Sequence, residues 1–343
     1  MERQIEYYGT LGPSCARKET LMKMLERGMT GIRLNLSHRS LKESEDWINI
    51  YQEAAKKTGK KPELLIDLVG PELRIGDLQK PLELKEGSLV FLITKGKKTQ
   101  EDAIPVPQTI FEVLKEGQLL LLDDGKIEIQ VLEQKEEAVC CQILRGGILY
   151  GRKSLAIPGV SISNPTLTGQ DYENLKEAKK YGVTAVMLPF VRNKEDLICL
   201  REALEQNQAE EIRIFAKIEN LDGVRKLPEL LPYCDCVVIA RGDLGNAVPL
   251  SRLPVIQQQI EQVCREKGKP FMVVTQMLQS MMDHAVPTRA EVNDIFHAIA
   301  DGASSVMLTG ETAAGAYPVE AMSILVETGQ EALKWNEKID KKL

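Results

Sequence analysis

No apolar run in this 343-residue chain approaches the roughly 20 residues needed to span a bilayer, so no transmembrane helix is expected. Residues 1–8, Met-Glu-Arg-Gln-Ile-Glu-Tyr-Tyr, hold no apolar signal region, and the expected location is the cytoplasm. A basic excess is also absent: 44 Lys and Arg face 50 Asp and Glu, for a net charge of −6. That balance gives no support for a nucleic-acid surface, which needs clustered cations. Histidine is scarce, and His284 and His297 stand at no metal-ligand spacing, so both read as solvated side chains. The seven cysteines are odd in number and form no disulfide framework. Cys140-Cys141 and Cys234-x-Cys236 do not match zinc pairs, and all seven read as buried or incidental thiols. Internal repeats and low-complexity tracts are missing as well.

What is present is a rhythm. Short β-rich apolar runs at 5–11, 31–37, 63–68, 185–190, 213–220, 236–241, 271–276 and 305–309 alternate with helical stretches. The helices are expected at 18–27, 41–57, 170–181, 194–206, 253–267, 289–300 and 319–335. Gly28, Gly182 and Gly302 stand where helix C-caps belong. This alternation predicts an α/β fold with a parallel sheet, and a strand count near eight predicts a (β/α)8 TIM barrel. The rhythm breaks between residues 76 and 158. There Leu-Val-Phe-Leu-Ile-Thr, Leu-Leu-Leu-Leu-Asp-Asp-Gly-Lys-Ile-Glu-Ile and Ala-Val-Cys-Cys-Gln-Ile read as short strands, with Asp124-Gly125 as a hairpin-type turn. The expected organisation is a barrel from 1–75 and 159–343, with a small β-barrel-like lid domain at 76–158 inserted after the third strand.

Charged groups gather where successive strands end. In Arg-Leu-Asn-Leu-Ser-His, Arg33, Asn35 and Ser37 share one face by the period of two. A polar face on a buried strand is costly unless it binds something, although satisfied polar groups at a strand end would also explain it. Asp67, with Asn35 and Ser37, offers hard oxygen donors for a cation, or simply caps a turn. Arg74 suits a phosphate. Lys217 and Glu219 again lie two apart. Glu219 and Asp243 offer carboxylates for one divalent metal, whereas a buried Lys–Glu pair alone leaves Asp243 unexplained. Gly242 and Gly245 allow close backbone approach, and amides at the following helix start suit an anion. Hydroxyls at Thr275 and Thr309 are placed to position water or relay a proton, as well as to pack. Phe296, Ile299 and Met307 read as core.

These segments resemble the pyruvate kinase family. The resemblance is carried by Thr-Leu-Gly-Pro-Ser (10–14), Arg-Leu-Asn-Leu-Ser-His (33–38), Asp67 with Gly-Pro-Glu-Leu-Arg (70–74) and Leu-Asp-Asp-Gly (122–125). It continues in Lys-Ile-Glu-Asn (217–220), Ala-Arg-Gly-Asp-Leu-Gly (240–245), Thr-Gln-Met-Leu-Gln-Ser-Met (275–281), Pro-Thr-Arg-Ala-Glu-Val (287–292) and Met-Leu-Thr-Gly-Glu-Thr-Ala (307–313). It implies phosphoryl transfer from phosphoenolpyruvate to ADP or another nucleoside diphosphate. It assigns Arg33 and Lys217 to the moving phosphoryl group, and Lys217 also to the enolate. Glu219 and Asp243 would hold Mg²⁺ or Mn²⁺. The backbone near Ala240, Gly242 and Asp243 would hold the substrate carboxylate. Thr275 would serve the final protonation, and Asn35, Ser37 and Asp67 would bind K⁺. His38, Arg74 and Lys153 would lie near the nucleotide, and a homodimer would form through barrel contacts near 287–292.

Several positions depart from the family pattern. Leu68-Val69 replaces the usual Thr-Lys and Ile75 resembles K⁺-independent members, while Glu72 resembles the K⁺-dependent type, so K⁺ dependence stays open. Ala247, Ala156 and Pro189 stand for Glu, Asn and Ser. The family's C-terminal allosteric domain is expected to be lacking, and with it effector activation. Two other readings stand beside the kinase: a metal-dependent lyase or aldolase working through a pyruvate enolate, and a non-catalytic paralogue that binds phosphoenolpyruvate or nucleotide.

Overall fold

The structure, a computed structural model, describes residues 4–37, 39–71, 73–94, 103–135, 138–160 and 164–340. It separates into two compact units: Met1–Gly70 with Thr166–Arg241 and Pro254–Leu343, and Pro71–Pro165 with Gly242–Leu253.

The first unit is a closed parallel barrel of eight strands, Glu6–Thr10, Gly31–Asn35, Glu63–Asp67, Ala185–Leu188, Arg213–Ile218, Cys236–Ala240, Phe271–Val274 and Ser305–Met307. Each pairs with its neighbours in chain order, and the last closes on the first through Glu6↔Ser305 and Tyr8↔Met307. Parallel strands flanked by helices are apolar on both faces, and Cys236–Ala240 is buried along its whole length. The helices begin where the sequence supplies acceptors. Thr168 with Asp171, and Thr288 with Glu291, form reciprocal capping boxes for Gly169–Ala178 and Arg289–Ala300. Gly28, Gly182 and Gly302 take positive φ just past their helices, as their spacing predicts.

The helix expected at 41–57 is split. A 3₁₀ turn, Lys42–Ser44, precedes the helix Glu45–Thr58, because Ser44 turns its hydroxyl back to the Ser40 carbonyl at 2.9 Å. Strands end earlier than their apolar runs, so Ser37, Glu219, Thr275 and Thr309 lie just beyond the sheet rather than in it. Phe296 is not core: it is half-buried and lines a surface groove with Arg289, Val292 and Glu331, while Ile299 and Met307 are buried as expected.

The barrel interior is layered. An apolar slab of Tyr8, Leu65, Met187, Phe215, Val238, Met272 and Met307 fills its middle. Gly31 makes room there, since a Cβ would come within 2.3 Å of the Tyr8 ring. At the N-terminal ends of the strands the slab is closed by charge: Tyr8 and Arg213 both donate to Glu63, and Arg213 also faces Glu6 at 3.6 Å. Burial pushes the Glu6 carboxyl up, against the pull of Arg213. A second polar layer lies at the C-terminal ends, where enzymes of this fold carry their sites.

The second unit follows the third barrel strand in sequence. A six-stranded sheet runs in the order Leu155–Ala156, Leu119–Leu122, Ile127–Gln134, Ala138–Arg145, Leu89–Thr94, Ala103–Val106, beside a ribbon of Leu82–Leu84 and Gly147–Leu149. Its own core includes Leu92, Ile104, Leu120, Ile129 and Ile143, so it packs as a domain in its own right. The hairpin at Asp124 forms, but not through a two-residue Asp-Gly turn. Leu122 pairs with Ile127, and Asp123, Asp124 and Gly125 all take positive φ in the wider loop between them.

Candidate active site

Barrel register brings the sequence-predicted charges of the first unit together. Asn35 pairs with Asp67 on the next strand, and Asp67 with Met187 on the one after. The interior residues Arg33, Asp67 and Lys217 therefore reach one level beyond the apolar slab. Arg33 donates to one Asp67 oxygen through Nε at 2.9 Å and through a terminal nitrogen at 2.6 Å. Lys217 donates to the same carboxylate at 3.2 and 3.4 Å and faces Glu219 at 3.0 Å. The second Glu219 oxygen accepts the Phe190 amide at 2.8 Å.

Asp67 is only 2% exposed. Burial alone would push its carboxyl up, but the charges and hydrogen bonds of Lys217 and Arg33 outweigh that and hold it below the ordinary range. Its two oxygens serve the two cations in this structure. Asn35 turns its carbonyl oxygen to the Ser37 amide at 3.0 Å. Beside Arg33 and Asn35 opens a cavity of about 490 Å³, walled also by Pro13, Arg39, Trp47 and Gly310. The Arg39 guanidinium lies 4.4 Å over the Trp47 ring.

Thr275 follows the seventh strand at φ +77°, a left-handed conformation that a β-branched residue adopts only when its surroundings enforce it. Thr309 is fixed by Glu311, whose carboxylate accepts its amide at 2.7 Å and its hydroxyl at 3.1 Å. Glu311 also receives the Leu278 amide at 3.1 Å, tying the ends of strands seven and eight together.

Arg74, Lys153, Gly242 and Asp243 fall in the second unit. Lys153 pairs with Asp123 at 2.8 Å, and Arg74 donates to the Arg152 carbonyl at 2.8 Å while bridging Ser154. Gly242 and Asp243 lie in the first turn of the helix Arg241–Ala247, directly after the strand that ends at Ala240. Their amides fall among those a helix start leaves without intrahelical partners. His38 lies outside the described residues.

Glu219 and Asp243 are hard oxygen donors of the kind Mg²⁺ takes. Among the described residues no three His, Cys, Asp or Glu side chains gather as a metal cage.

Sequence reasoning missed Asp171, Arg241 and Asp294. Asp171, fully buried, accepts the amides of Val69 and Gly70 at 2.8 and 3.0 Å while capping its own helix through Thr168. The Thr168-x-x-Asp171 box is legible, but its second use at the exit of strand three depends on tertiary contact.

A family model described as the pyruvate kinase barrel domain matches residues 2–322. The chain belongs to the pyruvate kinase family. It is 37% identical over 329 residues to a pyruvate kinase of Geobacillus stearothermophilus, covering 95% of this chain and 56% of that protein. A pyruvate kinase of Thermococcus litoralis is 35% identical over 332 residues, covering 96% and 70%. The crystal structure of a pyruvate kinase from Cryptosporidium parvum superposes with a TM-score of 0.89 at 32% identity, covering 96% of this chain and 69% of that one. The chain thus spans little more than half the length of the Geobacillus relative. Closed barrel and inserted β unit are the fold that the resemblance to pyruvate kinase implies.

Proposed function

We propose that this chain transfers a phosphoryl group from phosphoenolpyruvate to ADP, giving pyruvate and ATP. The observation that carries the proposal is the buried cluster of Arg33, Asp67, Lys217 and Glu219 at the barrel mouth. Its two cations and two carboxylates nearly cancel. Two polyanionic substrates therefore need further positive charge, and Glu219 with Asp243 would hold Mg²⁺ or Mn²⁺ to supply it. When bound, that ion neutralises charge on the phosphoryl oxygens.

The protein's own side chains and backbone do the rest. Arg33 and Lys217 hold the phosphoryl group, and amides at Gly242 and Asp243 receive the substrate carboxylate. A β-phosphate oxygen of ADP attacks phosphorus, the bridging P–O bond breaks, and its electron pair stays on the enolate oxygen. Lys217 steadies that charge, and no covalent help from the enzyme is required. A proton delivered to the methylene carbon from the Thr275 side, through water, completes pyruvate. The cavity beside Arg33, with its Arg39–Trp47 wall, has the volume of a small-ligand pocket and is the place this reading gives the nucleotide. Arg74 and Lys153 of the inserted unit would bind the nucleotide phosphates. K⁺ at Asn35, Ser37 and Asp67 would have to share Asp67 with Arg33 and Lys217. A homodimer through barrel contacts near 287–292 belongs to the same reading.

The test is steady-state pyruvate formation by the purified chain with Mg²⁺, with ADP or GDP, and with or without K⁺. Nucleotide-dependent pyruvate release is expected. No release under any of these conditions refutes the proposal.

A further inference from the structure

The seventh barrel strand ends at Val274, and the next two residues turn left-handed, Thr275 at φ +77° and Gln276 at +55°. Such a backbone is strained in a threonine and persists only where neighbours over-determine it. The neighbour here is Arg241. Ala240 and Val274 are register partners, so Arg241, one residue past the sixth strand, stands level with Thr275. Its Nε donates to the carbonyls of Val274 and Thr275 at 3.3 and 3.2 Å, and one terminal nitrogen donates to the Thr275 carbonyl at 2.7 Å. The other terminal nitrogen donates to both oxygens of Asp294 at 2.8 and 2.7 Å. Asp294 sits on the capped helix Arg289–Ala300, so the guanidinium is braced from a rigid element. The Arg241 side chain is 13% exposed, which leaves little water to compete for these bonds.

We propose that Arg241, held by Asp294, is a positioning residue that fixes Thr275 in its left-handed conformation and thereby sets where the Thr275 hydroxyl stands when the enolate is protonated. The inference rests on the pyruvate-forming reading above. A lysine cannot take over the role, because a single ammonium has no planar fork to span two carbonyls and a carboxylate at once.

The experiment compares the full chain as wild type, Arg241→Met, Arg241→Lys and Asp294→Asn. Each is measured for ADP-dependent pyruvate formation and for exchange of pyruvate methyl hydrogens with D₂O in the presence of Mg²⁺ and ATP, followed by proton NMR. Arg241→Met is expected to lose about tenfold or more in exchange and in kcat, since small misplacements near reacting groups cost that much. The KM for phosphoenolpyruvate should move less than about threefold, the signature of an interaction lost only in the transition state. The solvent deuterium effect on kcat should rise. Arg241→Lys should not rescue, and Asp294→Asn should show the same pattern at about threefold. If Arg241→Met does not fold, Asp294→Asn, which keeps the arginine, decides. Wild-type exchange in a folded variant, full rescue by lysine, or KM rising in step with the loss of kcat overturns the inference. A wild type that forms no pyruvate and exchanges no hydrogens removes the functional reading and this inference with it. Pyruvate formation with indifferent variants removes this inference alone.

Discussion

Asp67→Asn is the sharpest single perturbation of the barrel mouth. In the wild type one carboxylate, 2% exposed, balances Arg33 at 2.6 and 2.9 Å and Lys217 at 3.2 and 3.4 Å. Both cations are themselves largely buried, at 13% and 14% side-chain exposure. The amide is nearly isosteric but carries no charge, so Arg33 and Lys217 both lose the carboxylate charge that faces them, while the Lys217–Glu219 contact stays. Leaving buried charge uncompensated costs about 3–5 kcal/mol. For a domain of this size that lowers the melting temperature by roughly 6–10 °C, at about 2 °C per kcal/mol. The pH dependence adds a signature. The folded-state pKa of Asp67 lies below its unfolded value, so its contribution is fully present above the ordinary aspartate value of about 3.9 and is lost as pH falls through the lower folded value. Denaturant unfolding followed by circular dichroism from pH 7 down to pH 3 should therefore show a constant gap between wild type and variant near neutrality. That gap should begin to close only in the acid limb. A variant as stable as wild type at pH 7, or a gap that closes already between pH 7 and 5, would refute the assignment of Asp67 as the ionised partner of both cations.

Further predictions concern the neighbouring residues. Lys217→Met should keep its secondary structure by circular dichroism and lose about 10²- to 10³-fold in kcat, the scale for removing one preorganised stabilising group; turnover near wild type would remove Lys217 from the chemistry. Thr275→Gly should raise stability by about 1 kcal/mol, because glycine tolerates φ +77°, while slowing pyruvate formation. Lower stability on thermal denaturation would show that the left-handed turn is not strained. Asp171→Asn turns an amide donor toward the Val69, Gly70 or Thr168 donors and should cost about 1–3 kcal/mol. Proteolysis near residues 69–71 should quicken with it, and an unchanged melting temperature would argue against that anchoring.

Much of the barrel was legible because parallel strands buried on both faces write continuous apolar runs, and helices between them carry caps that are local in sequence. Arg33, Asn35, Lys217 and Glu219 stood out because spacing by two is a local rule. What Asp67 does was less legible. The sequence offers an oxygen donor for a cation or a turn cap, and the partners Asp67 has lie 34 and 150 residues away, set by barrel closure. Within the Ala-Arg-Gly-Asp-Leu-Gly segment nothing local reveals that the Arg241 side chain crosses to the next strand. Phe296 misled because a helical apolar stripe does not say how wide the buried face is. The Asp124-Gly125 pair signalled a hairpin correctly but not its loop length, because Asp123 also takes positive φ.

The central claim is that the barrel-mouth cluster moves a phosphoryl group between two small molecules. Phosphorus NMR of phosphoenolpyruvate, ADP and Mg²⁺ with the purified chain tests it directly. The phosphoenolpyruvate resonance should decay in step with growth of the γ-phosphate resonance of ATP. An unchanged spectrum, or decay to inorganic phosphate without ATP, would contradict the account.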